Sequence, residues 1–378
     1  MLKSYEVTNF KSFKNWTKFD LEKTNYQTLA GTNVYGNVLK GLMFVGSNAS
    51  GKTNAILAIK FLLDFLFGKN EVNIDSYVCL FSEELFMNLK YDFEIDGVDV
   101  VYEISYQKID KVLKETVLVD NKRVFMRDGS VAEVEISDKS THTDVPKNML
   151  FLRDVYFHTK FRGHEILQKW FSFLSNSVYL DLYERSVVQY GGINLSLESY
   201  MEEDGVNRTN AFFSEHNFNQ SVEYDKKSIG RMNTIESPEK EIYFKRKGID
   251  EPIPFGLESL GNKNLIALLP SVFHCIEKKG MLLLDEFSSG FHNDLEQLLI
   301  RYFMNKAEGS QLIFVSHSTN LLSNSIMRPD QIYSVDFAED GSVIKRFSSE
   351  KPREAQNLEK MYLGGVFNGI PKYEHLHK

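Results

Sequence analysis

The octapeptide Gly46-Ser47-Asn48-Ala49-Ser50-Gly51-Lys52-Thr53 constrains this chain more than any other feature. It has the spacing G-x-x-x-x-G-K-[ST], and its flanks fit as well. The apolar run Gly41 to Val45 precedes it, and a stretch with helical apolar spacing follows, from Gly51 to about Phe67. A buried strand that feeds a helix through a glycine-bearing loop gathers backbone N–H groups around phosphate oxygens. In such a loop Lys52 reaches the β- and γ-phosphates of a nucleotide, and the Thr53 hydroxyl ligates Mg²⁺. The expected fold class is therefore α/β, built around a phosphate loop.

Two more strand ends carry chemistry. Met281 to Leu284 reads as a buried strand, and it delivers the adjacent carboxylates Asp285 and Glu286. Asp285 is placed to hold Mg²⁺, directly or through water, and Glu286 to orient and polarise an attacking water. Gln311 to Val315 is a second buried strand, followed by Ser316-His317-Ser318. A histidine just beyond such a strand can sense a γ-phosphate. Each feature alone has a plain structural explanation: acidic residues at an exposed strand end, or a satisfied histidine. In this order behind a phosphate loop they form one candidate catalytic set: Lys52, Glu286 and His317.

The remaining pattern divides into three parts. Residues 1–140 read as a strand-rich lobe, with strands at Leu2 to Val7 and Trp16 to Leu21. A meander follows in which Leu89, Tyr91, Phe93 and Ile95 alternate with polar residues before the hairpin turn Asp96-Gly97. Residues 141–250 read as a mostly helical insertion, on the helical spacing of Ile166, Leu167, Trp170, Phe171 and Leu174, without sustained heptads. Residues 251–378 return to α/β, with a helix through Leu265, Leu268, Leu269, Val272 and Ile276 that contains Pro270. Composition narrows the setting. No apolar run reaches the roughly 20 residues of a spanning helix, and MLKSYEVTNF starts like a strand rather than a signal peptide. Cys79 and Cys275 are the two cysteines and have no metal-ligand spacing, which fits a reducing cytoplasm. A net charge of −8 makes the whole surface no magnet for nucleic acid, although a local basic groove is compatible with it.

These motifs, in this order, resemble the RecF/SMC/ABC family of P-loop ATPases, with a strand-rich ATPase head. The resemblance implies ATP and Mg²⁺ as cofactors, Glu286 as catalytic glutamate and His317 as switch histidine. It also implies a signature that opens a helix before the Asp-Glu strand. Ser259-Leu260-Gly261-Asn262-Lys263 stands in that place in a divergent form, so Ser259, Gly261 and Asn262 would contact ATP held by a second copy. The same Ser259 also reads as a simple helix cap. Ser288-Ser289-Gly290-Phe291-His292 resembles the D-loop that crosses such a dimer, with Ser289 and His292 as its contacts. The opening Asn9-Phe10-Lys11-Ser12-Phe13 resembles the start of RecF-like overcoming-lysogenization and abortive-infection ATPases, and it makes Lys11 a candidate nucleotide contact. Arg328-Pro329-Asp330-Gln331 and Tyr362-Leu363-Gly364-Gly365-Val366-Phe367-Asn368-Gly369-Ile370-Pro371 resemble the C-terminal pattern of RloA- and AbiL-type phage-defence ATPases. Those ATPases usually carry an arginine at the position of Val366 and often an acid at that of Ser318. No glutamine of a metal-binding loop is evident after the first helix.

The resemblance implies a cytoplasmic head-to-tail homodimer, or a larger assembly of such dimers. It would act as the ATPase of an anti-phage system that controls a separate effector such as a Toprim or RloB-like nuclease, with DNA or a phage component as trigger. Too little chain follows His317 for a Toprim domain in the same polypeptide. Two alternatives stay open at this level: a scaffold held together by ATP with little turnover, and a RecF-like ATPase that binds DNA ends. A Rad50-type protein would need a long coiled coil.

Overall fold

The computed structural model describes residues 1–68, 73–136, 139–147, 149–192, 194–225, 240–288 and 290–370. The chain forms two compact units. The first comprises Met1–Gly191, Cys275–Ser289 and Asn293–Lys378, and the second Gly192–His274 and Gly290–His292.

Two sheets organise the first unit. The central one has seven strands in the order Ser186–Gln189, Val178–Asp181, Met281–Asp285, Gln311–Val315, Gly41–Val45, Ile332–Ala338 and Gly341–Arg346. The five inner strands run parallel, and each edge strand is antiparallel to its neighbour. Gly41–Val45, Met281–Asp285 and Gln311–Val315 are buried at every residue. This explains why they read as continuous apolar runs: a sheet covered on both faces has no polar side to alternate with.

The other sheet is antiparallel and eight-stranded. Its order is Ser140–His142, Val131–Val134, Lys122–Asp128, Val112–Val119, Val98–Gln107, Phe86–Ile95, Leu2–Thr8 and Thr17–Asp20. Along Phe86–Ile95 buried and more exposed residues alternate, as expected of a sheet with one solvated face. The hairpin to Val98–Gln107 turns at Asp96 and Gly97, both at positive φ (52° and 80°), as the sequence predicts.

The helix Lys52–Phe67 packs against both sheets. Tyr5 and Tyr91 of the antiparallel sheet donate their hydroxyls to the carbonyls of Ala55 (3.0 Å) and Ala58 (2.6 Å). Contacts to Met281–Asp285 and Gln311–Val315 cover another side of the helix. A helix flanked this way is apolar nearly all round, and residues such as Ile56, Ile59, Leu62, Leu63 and Leu66 are fully buried. Its N-terminus, at the phosphate loop, is thereby fixed to the carboxyl ends of the parallel strands.

The stretch 141–250 contains the helices Phe151–Thr159, Glu165–Ser175 and Val206–Glu215, and also strands. Val178–Asp181 joins the central sheet in parallel register with Met281–Asp285, which places Asp181 opposite Asp285. Four residues are too short a run to separate strand from helix by periodicity.

The second unit holds a three-stranded antiparallel sheet, Gln220–Asp225, Glu241–Arg246 and Ile253–Pro254. Phe212, Phe213 and Phe218 form an aromatic cluster beside it, with Phe213 stacked on Phe218 and Phe212 edge-on to Phe273. The helix Leu260–Lys278 runs through Pro270 without interruption. Among the described residues no helix is long and apolar enough to cross a membrane.

Candidate active site

The phosphate loop leaves the end of strand Gly41–Val45 and is shaped by two glycines. Gly46 has φ +153°, and a Cβ there would lie 2.2 Å from the Val335 carbonyl oxygen. Gly51 has φ +108°, and a Cβ there would lie 2.2 Å from Ser342 Oγ and 2.7 Å from Ser12 Oγ. Only glycine fits either place. Ala49, also at positive φ (61°), completes the curl. Lys52 is buried, and its ammonium donates to the carbonyls of Gly46 (3.0 Å) and Ser47 (2.6 Å). Burial lowers its pKa, and the charges of Glu286 and Asp285 oppose that shift. Two hydroxyls and an amide brace the loop from behind. Ser342 donates to the Ser50 carbonyl (2.6 Å) and accepts from the Ser12 hydroxyl (2.7 Å), whose oxygen in turn accepts from Asn54 Nδ2 (2.7 Å). The Ser50 hydroxyl is buried without a hydrogen-bond partner among the described residues.

The carboxylates meet this loop directly. Thr53 Oγ1 donates to Asp285 Oδ1 at 3.2 Å, and the Glu286 N–H donates to the same oxygen at 3.1 Å. Burial, partly offset by the Thr53 hydrogen bond, pushes the Asp285 pKa up to about 6. Glu286 itself is left-handed, with φ 52°. That conformation costs energy for a non-glycine residue, and it turns the side chain off the strand direction into the cleft. His317 Nε2 lies 3.7 Å from Glu286 Oε1, too long for a direct hydrogen bond. Burial and the charge of Lys52 lower the imidazole pKa, and the charge of Glu286 opposes that shift. Asn48, Ala49, Gly51, Lys52, Thr53, Asn54, Tyr183, Glu286 and His317 line one open cleft of about 910 Å³. Two hard oxygen donors beside a buried ammonium and a glycine cradle fit a nucleotide phosphate with its Mg²⁺.

Several residues here escaped the sequence reading. Tyr183 lines the cleft from the turn after Val178–Asp181. That turn is held by Asp181 Oδ1, which accepts the N–H groups of Tyr183 and Glu184, both at 2.9 Å. No spacing links positions 181 and 183 to the phosphate loop; only the strand pairing does. Ser318 donates its hydroxyl to Glu296 Oε1, on the helix Asn293–Lys306, at 2.9 Å.

Other candidates are placed elsewhere. Lys11 is not among the residues lining the cleft; its ammonium lies 4.6 Å from the centroid of the Tyr77 ring. Ser259, Gly261 and Asn262 belong to the second unit. Ser259 Oγ accepts the Asn262 N–H at 3.3 Å and so caps the helix Leu260–Lys278. The Asn262 amide bonds Glu258 and Gln220. A Cβ on Gly261 would meet the Gly290 carbonyl oxygen at 2.7 Å, a packing reason for this glycine. His292 is exposed immediately before the helix Asn293–Lys306, and Ser289 lies outside the described residues.

The raised pKa of Asp285 has a measurable consequence. A folded state that holds a proton more tightly than the unfolded chain loses stability as pH rises. The loss begins above the ordinary value near 3.8 and is complete above about 6. The difference corresponds to a cost on the order of 3 kcal/mol at pH 8. Asp285→Asn, measured without nucleotide or metal, should therefore melt several degrees above the parent at pH 8 and lose that advantage near pH 4. An advantage of equal size at both pH values would refute the buried-carboxylate explanation.

Residues 42–323 match the family described as "AAA domain, putative AbiEii toxin, Type IV TA system". No curated protein matches the chain. Among solved structures, an SMC head bound to the C-terminal winged-helix domain of ScpA is similar at TM-score 0.50 and 14% identity, over 91% of this chain and 96% of that one. The SMC head domain from Thermotoga maritima has TM-score 0.48 and 17% identity, over 91% and 97%. At 14% identity the likeness to the ScpA-bound head speaks for the fold alone, that of an SMC head. The family match covers about three quarters of the sequence, and the chain belongs to this family of AAA-domain ATPases.

Proposed function

We propose that this chain is an ATP-hydrolysing switch that works as a head-to-tail homodimer, and that it is the ATPase and sensor subunit of a bacterial anti-phage system of the RloA or AbiL kind. In this assignment each phosphate loop faces the Ser259-Gly261-Asn262 signature of a second copy, and the dimer controls a separate effector. The observation that carries it is the convergence of Lys52, the Thr53–Asp285 pair, Glu286 and His317 on one cleft.

ATP and Mg²⁺, when bound, supply the electrophilic phosphorus and the charge of the metal. Lys52 neutralises developing phosphate charge from a buried position, where charge contacts are strong. Thr53 and Asp285 offer the metal two oxygens already held together. Glu286 points into the cleft to orient a water, and His317 beside it can hydrogen-bond the terminal phosphate and that water. Dimerisation draws support from the capped N-terminus of a 19-residue helix, which attracts phosphate. The exposed Leu257 and Leu260 beside it are apolar surface for a second copy to cover. The abortive-infection setting draws support from the family description, with its AbiEii toxin and toxin–antitoxin terms.

The test is phage plaquing on cells carrying this gene with its neighbours. The parent should reduce plaque formation, and Lys52→Ala should restore it. Equal plaquing across a broad phage panel would remove the defence role and leave the ATPase assignment in place.

A further inference from the structure

The C-terminal segment has no role in the site described so far, yet it touches two of that site's loops. In the helix Leu358–Leu363, capped by Asn357, Glu359 Oε1 accepts the hydroxyl of Thr319 at 2.6 Å. Thr319 is two residues beyond His317 and opens the short turn Thr319–Leu321. The chain then folds back. Tyr362 donates its hydroxyl to the Gly369 carbonyl at 3.0 Å, the Phe367 ring stacks on Phe347 at 3.7 Å, and the Phe367 carbonyl accepts from Ser334 Oγ. Gly369, at φ +74°, sits against the phosphate loop: a Cβ there would lie 3.6 Å from Gly46 Cα and 3.0 Å from the Val335 carbonyl oxygen. That same carbonyl excludes a Cβ from Gly46. Both glycines thus pack against the same carbonyl oxygen.

We propose that Leu358–Ile370 ties the histidine loop to the phosphate loop, with Glu359 a positioning residue that holds His317 in place through Thr319. This rests on the ATPase assignment above. A hydroxyl bonded to a carboxylate is a strong, short-range restraint, and the single residue between Thr319 and His317, Ser318, leaves the imidazole little freedom once Thr319 is fixed. Glu359 therefore acts on turnover more than on ATP binding. Gly369, packed on Gly46, acts on binding more than on turnover.

The test measures ATP affinity and steady-state hydrolysis separately on the full chain. Glu359→Ala and Thr319→Val should each lower kcat about tenfold with ATP affinity nearly unchanged. Glu359→Gln, whose amide oxygen still accepts the hydroxyl, should recover most of the rate. The double variant should be no slower than either single one, since one hydrogen bond is lost in each case. Gly369→Ala should raise the Kd for ATP more than it lowers kcat. Thermal melts show which variants are folded; if Glu359→Ala is not, Thr319→Val against Glu359→Gln decides. Parental kcat in Glu359→Ala, equal losses in its alanine and glutamine variants, or additive losses in the double variant would overturn the tie alone. A parent without Lys52-dependent hydrolysis would overturn the ATPase assignment and the tie together.

Discussion

Replacing Lys52 by alanine is expected to weaken ATP binding by roughly a hundredfold or more, the equivalent of at least two charge-assisted hydrogen bonds. Among the described residues that line the cleft, Lys52 is the one cation. It is buried, so its charge is poorly screened by water. The substitution also leaves the carbonyls of Gly46 and Ser47 without their donor, so the loop loses the contact that curls it. Equilibrium titration with ATP–Mg²⁺ reads the effect directly. A variant that binds as tightly as the parent would show that the cradle is not the nucleotide site.

Glu286→Gln should behave in the opposite way: ATP binds, and kcat falls by about 10²–10⁴-fold, the usual contribution of a positioned base. Glutamine preserves the shape and the left-handed backbone of the site while removing the charge that orients and polarises water. If the head-to-tail dimer is right, ATP-loaded Glu286→Gln should accumulate as a stable dimer visible by light scattering, while the nucleotide-free protein stays monomeric. Chains carrying Ser259→Arg mixed with chains carrying Lys52→Ala should recover part of the activity that each lacks, because one intact composite site forms per heterodimer. Full activity from Ser259→Arg alone would exclude the shared site.

The catalytic strands were legible because full burial on both faces leaves an unbroken apolar run, and because the residue that follows each run must emerge at the same sheet edge. Gly41–Val45, Met281–Asp285 and Gln311–Val315 therefore announced Gly46, Asp285-Glu286 and His317 together. Tyr183 and Asp181 were not legible, since their place follows from the pairing of a four-residue strand with Met281–Asp285. Lys11 was legible as a residue of the N-terminal turn but not in its contact with the Tyr77 ring, which depends on a segment far along the chain. The partner of Ser318 was also a tertiary matter: Glu296 reaches it from a helix more than twenty residues away.

The placement of Val178–Asp181 has one more consequence. This strand and Met281–Asp285 are direct neighbours in the sheet, yet the main body of the second unit, Gly192–His274, lies between them in sequence. That unit is a parenthesis in the chain whose two ends are fixed side by side by ladder hydrogen bonds. The entropy of closing such a bracket grows only slowly with the length enclosed. The length of what lies inside can therefore change while Asp181 and Asp285 stay in register. The Ser259-Gly261-Asn262 segment, by contrast, travels with the bracketed unit, so its place is set by that unit's own packing and not by this ladder.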